Sequence, residues 1–274
     1  MEIMGVSFIV PIHNEERTLG LVLNSIEKQN VKKIIIVLDR CTDGSEKIAR
    51  LYKKKNKNIE IYKISKHKNN INFYAETVNY GVSKIDNKYL CIVDADTFLE
   101  KKYIEKLIPH LKGNVVSVSG TLIPIHKKFF QYRETIRGTG RLILKKLWDE
   151  IGGYQDVYSC DTLLDLEILK RGLRSDIISE ATQYDLRKYT VKNLILQAIR
   201  FGKGRKHLGQ SLFFLLGHGL YTIIHNPFGV VILIGNIVGY FSTDRKMSRE
   251  KMSRYEILRL KEIRKNILSK ILYN

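Results

Sequence analysis

Tyr89-Leu90-Cys91-Ile92-Val93-Asp94-Ala95-Asp96 runs from an apolar stretch straight into two carboxylates one residue apart. The apolar part reads as a buried strand. On an extended chain residues i and i+2 share a face, so Asp94 and Asp96 are expected to converge on one point. Hard divalent cations such as Mg2+ and Mn2+ prefer oxygen ligands, commonly one or two carboxylates completed by substrate phosphates. The pair therefore reads as a metal–diphosphate clamp at a strand end. The competing reading is a solvated Asp-x-Asp turn.

Upstream of this strand, short apolar runs alternate with helical patterns. Val6-Ser7-Phe8-Ile9-Val10-Pro11 and Lys33-Ile34-Ile35-Ile36-Val37-Leu38 read as buried strands, and 59–64 alternates like a third. Between them, 16–28 carries Leu19, Val22, Leu23 and Ile26 at helical spacing, and 45–54 reads as a helix capped by Ser45. A helix over 74–83 leads into the Tyr89 strand. A helix over 101–111 and a strand over 115–119 follow it. This order predicts an α/β fold with a mostly parallel sheet flanked by helices. Such sheets bind ligands at the carboxyl ends of their strands. His13-Asn14-Glu15, Asp39 and the Asp94/Asp96 pair all fall there.

The bulk numbers restrict the partners. The 274 residues carry a formal net charge of +19, which favours a polyanion: nucleic acid, an anionic lipid surface or a phosphorylated substrate. The basic residues are dispersed or lie beside an apolar segment, and no nucleic-acid-binding motif occurs. Cys41, Cys91 and Cys160 are widely spaced, which suggests neither a zinc site nor a disulfide framework. No signal peptide is expected at the amino terminus.

From 120 to 206 the pattern is less regular, with Gly152-Gly153-Tyr154, then Asp161, then Leu164, Ile168 and Leu169 at helical spacing before Gly172. Composition then changes. No Asp, Glu, Lys or Arg occurs between Lys206 and Asp244. The segment breaks at His225-Asn226-Pro227, and each half falls short of the ~20 apolar residues of a span. A re-entrant or tightly packed helical hairpin over 207–243 is expected, with one span plus an interfacial helix, or a buried core hairpin, as the alternatives. Lys203, Arg205 and Lys206 precede it, and Arg245, Lys246, Arg249 and Lys251 follow it, which places both ends on the cytoplasmic side of a membrane. Over 244–274, Ile257, Leu260, Ile263, Ile267 and Ile271 form one stripe among basic residues, the pattern of an interfacial amphipathic helix or equally of a helix packed on the catalytic domain.

These motifs together resemble the family 2 glycosyltransferases. Val6 to Glu16 is similar to the opening motif of that family, and Asp39-Arg40-Cys41-Thr42-Asp43-Gly44-Ser45 to its nucleobase-binding motif. Asn79-Tyr80-Gly81 resembles the Asn-x-Gly before the metal strand, and Val93-Asp94-Ala95-Asp96 the Asp-x-Asp. Gly152-Gly153-Tyr154, Cys160-Asp161 and Gly172 resemble the Gly-Gly-Phe…Glu-Asp…Gly block, and Gln197-Ala198-Ile199-Arg200-Phe201-Gly202 the later Gln/Arg element. Leu38, Cys160 and Glu167 depart from the residues usual at their positions.

The resemblance implies a GT-A, Rossmann-like domain over 1–206, with a nucleotide-binding half at 1–120 and an acceptor half at 121–206. It implies inverting transfer of a sugar from a UDP- or GDP-sugar, with Mg2+ or Mn2+ at Asp94 and Asp96. Pro11, His13, Glu15, Asp39, Asp94 and Arg200 are the expected nucleotide contacts, with Arg205 an alternative to Arg200. Asp161 is the expected general base, or else a helix cap. A membrane segment in such an enzyme points to a lipid or lipid-linked acceptor. The alternatives are a sugar-phosphate nucleotidyltransferase, which would normally show a glycine-rich loop with Arg and Lys where Pro11-Ile12-His13-Asn14-Glu15 stands, and a basic nucleic-acid-binding protein.

Overall fold

The computed structural model describes residues 4–68, 71–126 and 136–243. The expected amphipathic tail over 244–274 lies outside the described residues. The chain divides into two units, the first comprising Met1–Asp156 with Gly172–Lys188 and the second Val157–Arg171 with Tyr189–Asn274. Residues 157–171 and 189–206, expected within the transferase domain, thus group with the apolar segment.

The first unit is built on strands β1 (Met4–Ile12), β2 (Val31–Asp39), β3 (Ile59–Ile64), β4 (Tyr89–Ile92), β5 (Thr97–Leu99), β6 (Val115–Pro124), β7 (Arg141–Leu144) and β8 (Arg174–Asp185). They form one sheet in the order β3-β2-β1-β4-β7-β6-β8-β5. Helices α1 (Leu19–Glu27), α2 (Ser45–Lys55), α3 (Phe73–Val82), α4 (Tyr103–Leu107) and α5 (Lys145–Ile151) connect them. The β3-β2-β1-β4 half is parallel throughout.

Both faces of the central strands are buried, which explains their unbroken apolar character. Val6, Phe8, Val10 and Ile12 join Leu19, Val22, Leu23 and Ile26 of α1 in one core. The opposite face carries Ile9, Ile35 and Val37, which meet α3 at Gly81. A Cβ there would stand 2.8 Å from Ile9 Cγ2 and 3.0 Å from Val37 Cγ2, so a side chain would lift the helix off the sheet.

The other half of the sheet corrects the expectation of a mostly parallel arrangement. β7 enters antiparallel between β4 and β6, and β5 pairs antiparallel with β8, while β6 and β8 are parallel. The sheet is mixed. β7 is a four-residue strand that passes directly into α5, too short to register as a period. β8 has an irregular, largely polar exposure pattern, so its sequence lacks the apolar run of a buried strand. β6 extends five residues beyond the expected end at 119.

The second unit contains α6 (Cys160–Lys170), α7 (Val191–His207), α8 (Leu212–His225) and α9 (Gly229–Phe241). Thr190 caps α7 by accepting from the Asn193 amide at 3.2 Å, and Ser211 caps α8 by accepting from the Phe214 amide at 3.3 Å. Helices α7 and α9 pack through small residues. A Cβ on Gly235 would lie 2.6 Å from the Ala198 Cβ, and one on Gly239 would lie 2.8 Å from the Ile199 carbonyl carbon. Gly235-x-x-x-Gly239 against Ala198-x-x-x-Gly202 thus brings two backbones together. Asn226 turns the chain between α8 and α9, its side-chain oxygen accepting from the Phe228 amide at 2.8 Å. No described helix is long and apolar enough to cross a membrane. Phe213 is 87% exposed and Ile224 77%.

Candidate active site

β2, β1 and β4 are neighbours in the sheet, and of the expected nucleotide residues Pro11, His13, Glu15, Asp39 and Asp94 stand at or just past their carboxyl ends, while Arg200 does not. Beyond β1 the chain turns through Asn14, which takes a left-handed conformation with φ of 57°. Beyond β2 it turns through Arg40, with φ of 47°. The two turns are tied together by hydrogen bonds. Asn14 Oδ1 accepts from the Thr42 amide at 2.8 Å, Ser45 Oγ from the Glu15 amide at 2.9 Å and Asp43 Oδ2 from the Glu16 amide at 3.0 Å. Glu16 Oε2 accepts from the Gly44 amide at 2.7 Å. Ser45 is therefore not the cap of α2: that position is Gly44, and the Ser45 hydroxyl serves the neighbouring turn.

Asp39 is buried at the base of this latch. Its Oδ1 accepts from Arg40 Nε at 2.7 Å and faces His67 Nε2 at 2.7 Å, and its Oδ2 accepts from Arg40 Nη2 at 3.2 Å. Burial alone would raise its pKa. The hydrogen bonds from Arg40 and His67 outweigh that and hold the carboxyl below its usual range. His13 is exposed, with Nδ1 at 2.7 Å from the Asp39 carbonyl. Pro11 is buried within β1.

At the end of β4 the strand stops at Ile92, and Asp94-Ala95-Asp96 forms a turn whose Thr97 amide donates to the Asp94 carbonyl at 2.9 Å. This corrects the expectation that an extended strand aligns the two aspartates: the turn presents them instead. It is not the solvated turn of the competing reading, because Asp96 is 5% exposed. Tyr74 Oη donates to Asp94 Oδ1 at 2.7 Å, and Thr139 Oγ1 accepts from the Asp94 amide at 2.9 Å. Arg187, just past β8, pairs with Asp96, and the Leu186 amide donates to the Asp96 carbonyl at 2.9 Å.

Four carboxylates of this end of the sheet influence one another. Burial raises Asp94, and the Asp96 charge adds to it, opposed by the Tyr74 hydrogen bond and Arg187. Burial raises Asp96, and Asp185 adds to it against Arg187. Burial and Asp96 together raise Glu15. Crowded, desolvated carboxylates with one guanidinium among them have room for more positive charge. Among the described residues no group of three or more His, Cys, Asp or Glu side chains converges as a metal cage. Asp94 and Asp96 fit a cation that takes the rest of its ligands from a bound phosphate.

The Asn79 side chain bridges two of the motifs. Its Nδ2 donates to the Tyr154 carbonyl at 2.7 Å and its Oδ1 accepts from the Tyr154 amide at 2.9 Å. Gly153, at φ of 69°, lies against that amide, where a Cβ would stand 2.5 Å from Asn79 Oδ1. The Asn-x-Gly and Gly-Gly-Tyr motifs are thus one structural joint.

Asp161 and Arg200 belong to the second unit. Asp161 lies in the first turn of α6, where Ser159 holds the cap position, so Asp161 is not the cap. Its Oδ1 accepts from the Thr162 amide at 2.8 Å, and a carboxylate suits a helix amino terminus. Arg200 is exposed on α7. Sequence reasoning missed His67, Tyr74, Glu76 and Arg187. Nothing in a chain with 47 Lys and Arg residues singles out Arg187.

A family model described as "Glycosyl transferase family 2" matches residues 7–163. "Glycosyltransferase GlyG" of Streptococcus pneumoniae serotype 4 is 30% identical over 104 residues, which cover 37% of this chain and 33% of that protein. Among solved structures, "Mannosyltransferase PcManGT from Pyrobaculum calidifontis in complex with GDP-Man and Mn2+" superposes with a TM-score of 0.61 at 16% identity, covering 94% of this chain and 74% of the other. The crystal structure of S. aureus TarS gives 0.57 at 15% identity, covering 72% of this chain and 39% of the other. TarS 1-349 in complex with UDP-GlcNAc gives 0.56 at 15% identity, covering 72% and 66%. At these identities the structures share a fold, the mixed-sheet GT-A arrangement.

Proposed function

The chain belongs to glycosyl transferase family 2, and on that premise we propose that it moves a sugar from a nucleoside diphosphate sugar to a lipid or lipid-linked acceptor, with inversion at the anomeric carbon. The observation that carries the reading is the row of buried Asp39, half-buried Asp94 and buried Asp96 at the ends of β2 and β4, the strands on either side of β1. One end of that row suits a nucleobase and the other a charge-neutralised diphosphate.

Asp39 accepts a hydrogen bond from the base, and His13 and Glu15 line the nucleotide beside Pro11. Asp94 and Asp96 would hold Mg2+ or Mn2+, which supplies Lewis-acid neutralisation of the departing diphosphate. PcManGT was solved with GDP-Man and Mn2+, which supports a divalent cation without choosing between the two. Arg200 adds a charge-assisted contact to the phosphates. Asp161 takes the acceptor hydroxyl proton as the oxygen attacks from the face opposite the leaving group, help typically worth about 10^2–10^4 in rate. Its role is carried over from its place in the family's motif. With a phosphate acceptor, already ionised, the base matters less.

The apolar helices α8 and α9 supply the membrane-associated part, on the cytoplasmic face. Their charge-free sequence between basic flanks, and side chains such as Phe213 and Ile224 turned to solvent, support this. The test is a panel of UDP- and GDP-sugars incubated with membranes containing the chain. The expected result is one donor consumed, its nucleoside diphosphate released and its sugar recovered in the lipid fraction. The Asp161→Asn variant binds nucleotide and does not transfer. Wild-type turnover by Asp161→Asn rejects the base, and pyrophosphate release in place of nucleoside diphosphate rejects the reaction.

A further inference from the structure

His67 lies outside every motif discussed above, yet its side chain is 3% exposed and sits between two carboxylates. Nε2 is 2.7 Å from Asp39 Oδ1, and Nδ1 is 3.2 Å from Glu76 Oε2. Glu76 also accepts from the Lys68 amide at 2.9 Å, which ties down the backbone next to the histidine. The imidazole stacks on Phe73, with centroids 4.6 Å apart and planes 14° apart, and the Arg40 guanidinium lies over the same ring at 4.6 Å. His67 is therefore fixed in position and orientation. A buried imidazole with this many constraints needs a reason, and its contact with Asp39 offers one.

An ionised carboxylate has about four acceptor positions, two on each oxygen. On Asp39, His67 Nε2 and Arg40 Nε fill both positions on Oδ1, and Arg40 Nη2 fills one on Oδ2. Among the described residues, one acceptor position remains, on Oδ2. We propose that His67 sets the base selectivity of the donor site by occupying Asp39 Oδ1, so that the carboxylate reads a base edge with a single N–H. This rests on the reading of Asp39 as the nucleobase contact.

The imide edge of uracil or thymine offers one N–H between two carbonyls. Guanine offers an N–H and an adjacent amino group, a pair that calls for both carboxylate oxygens. With Oδ1 taken, one guanine donor stays unpaired in a buried site, which weakens binding by about tenfold or more. Among the described residues, the two Arg40 N–H groups already used leave three on the guanidinium, available to an imide carbonyl. The remaining edges fit worse, since the Watson–Crick edge of cytosine or adenine meets Asp39 with at least one acceptor beside its amino group. His67 acts through Asp39 and is a positioning residue.

The test is calorimetric titration of UDP, dTDP and GDP into the full chain in detergent with Mn2+, for the wild type, His67→Phe and His67→Gln. Phe keeps the stack on Phe73 and removes the donor. Gln keeps an N–H that can reach Oδ1. The wild type is expected to bind UDP and dTDP at least about tenfold tighter than GDP. His67→Phe should bring the three affinities within about threefold of one another, and His67→Gln should restore the preference. Retained circular dichroism and thermal transition in both variants separate selectivity from folding. Tighter GDP binding by the wild type, or an unchanged preference in His67→Phe, overturns the inference while the nucleotide site stands. Binding of none of the three by the wild type instead overturns the donor reading itself.

Discussion

Asp94 is a half-buried carboxylate kept toward its neutral form by desolvation and by the charge on Asp96. Its folded pKa lies above the unfolded value, so the folded state binds the extra proton between the two. Stability of the metal-free protein therefore falls as pH rises from the unfolded carboxylate value of about 4 to the raised folded one, at about 1.4 kcal/mol per unit of separation. Asp94→Asn removes that slope and still accepts the Tyr74 hydroxyl. In EDTA it is expected to melt a few degrees above wild type at pH 8 and to match it at pH 4, while losing transfer. A lower melting temperature at pH 8 would mean that the Asp94 charge is compensated within the protein. Arg187 has the opposite role. It pairs with Asp96, yet its own side chain is 44% exposed, so solvent screening reduces its contribution to roughly 1–2 kcal/mol. Arg187→Ala should melt several degrees lower in EDTA, and added Mn2+ should recover more of that loss than it gains in wild type. Equal Mn2+ shifts in both proteins would show that Arg187 and the cation do not serve the same charge.

Two joints between elements can be tested in the same way. Asn79 holds the Tyr154 backbone in both directions, and Asn79→Ala leaves that amide and carbonyl unpaired at a cost of about 1–3 kcal/mol per group. The thermal midpoint should fall accordingly, and Asn79→Asp should fall too because the donor to the carbonyl is gone. Gly239 meets the Ile199 backbone directly. Gly239→Val forces α7 and α9 apart and should cost roughly 1–3 kcal/mol, read as faster proteolysis of the second unit. The elements that were legible in the sequence are those with a clear period: β1, β2 and α1 follow from buried runs and helical spacing. β7 and β8 were not legible, because a four-residue strand has no period and a polar strand has no apolar face. The places of Asp39 at the end of β2 and of Asp94 and Asp96 just past β4 were legible from motif and strand end. Tyr74, His67 and Arg187 were not, since tertiary pairing across tens of residues leaves no local mark on a lysine-rich chain.

At the scale of the whole molecule, a basic protein with buried acidic side chains at one end of a mixed sheet also carries a charge-free helical pair. Exposed Phe213 and Ile224 on that pair predict flotation of the full chain with vesicles containing anionic phospholipid. The double variant Phe213→Glu, Ile224→Glu should remain with the soluble fraction and keep its nucleotide affinity. Flotation unaffected by both charges would move the membrane contact elsewhere. Cation and donor diphosphate are proposed to meet at Asp94 and Asp96, and electron paramagnetic resonance of Mn2+ reads that meeting directly. With the full chain, added UDP or GDP should draw free Mn2+ into the protein-bound pool, and Asp96→Ala should abolish the effect. A free Mn2+ signal that neither nucleotide changes beyond its own chelation, or that falls equally in Asp96→Ala, would mean that these two aspartates do not hold the cation.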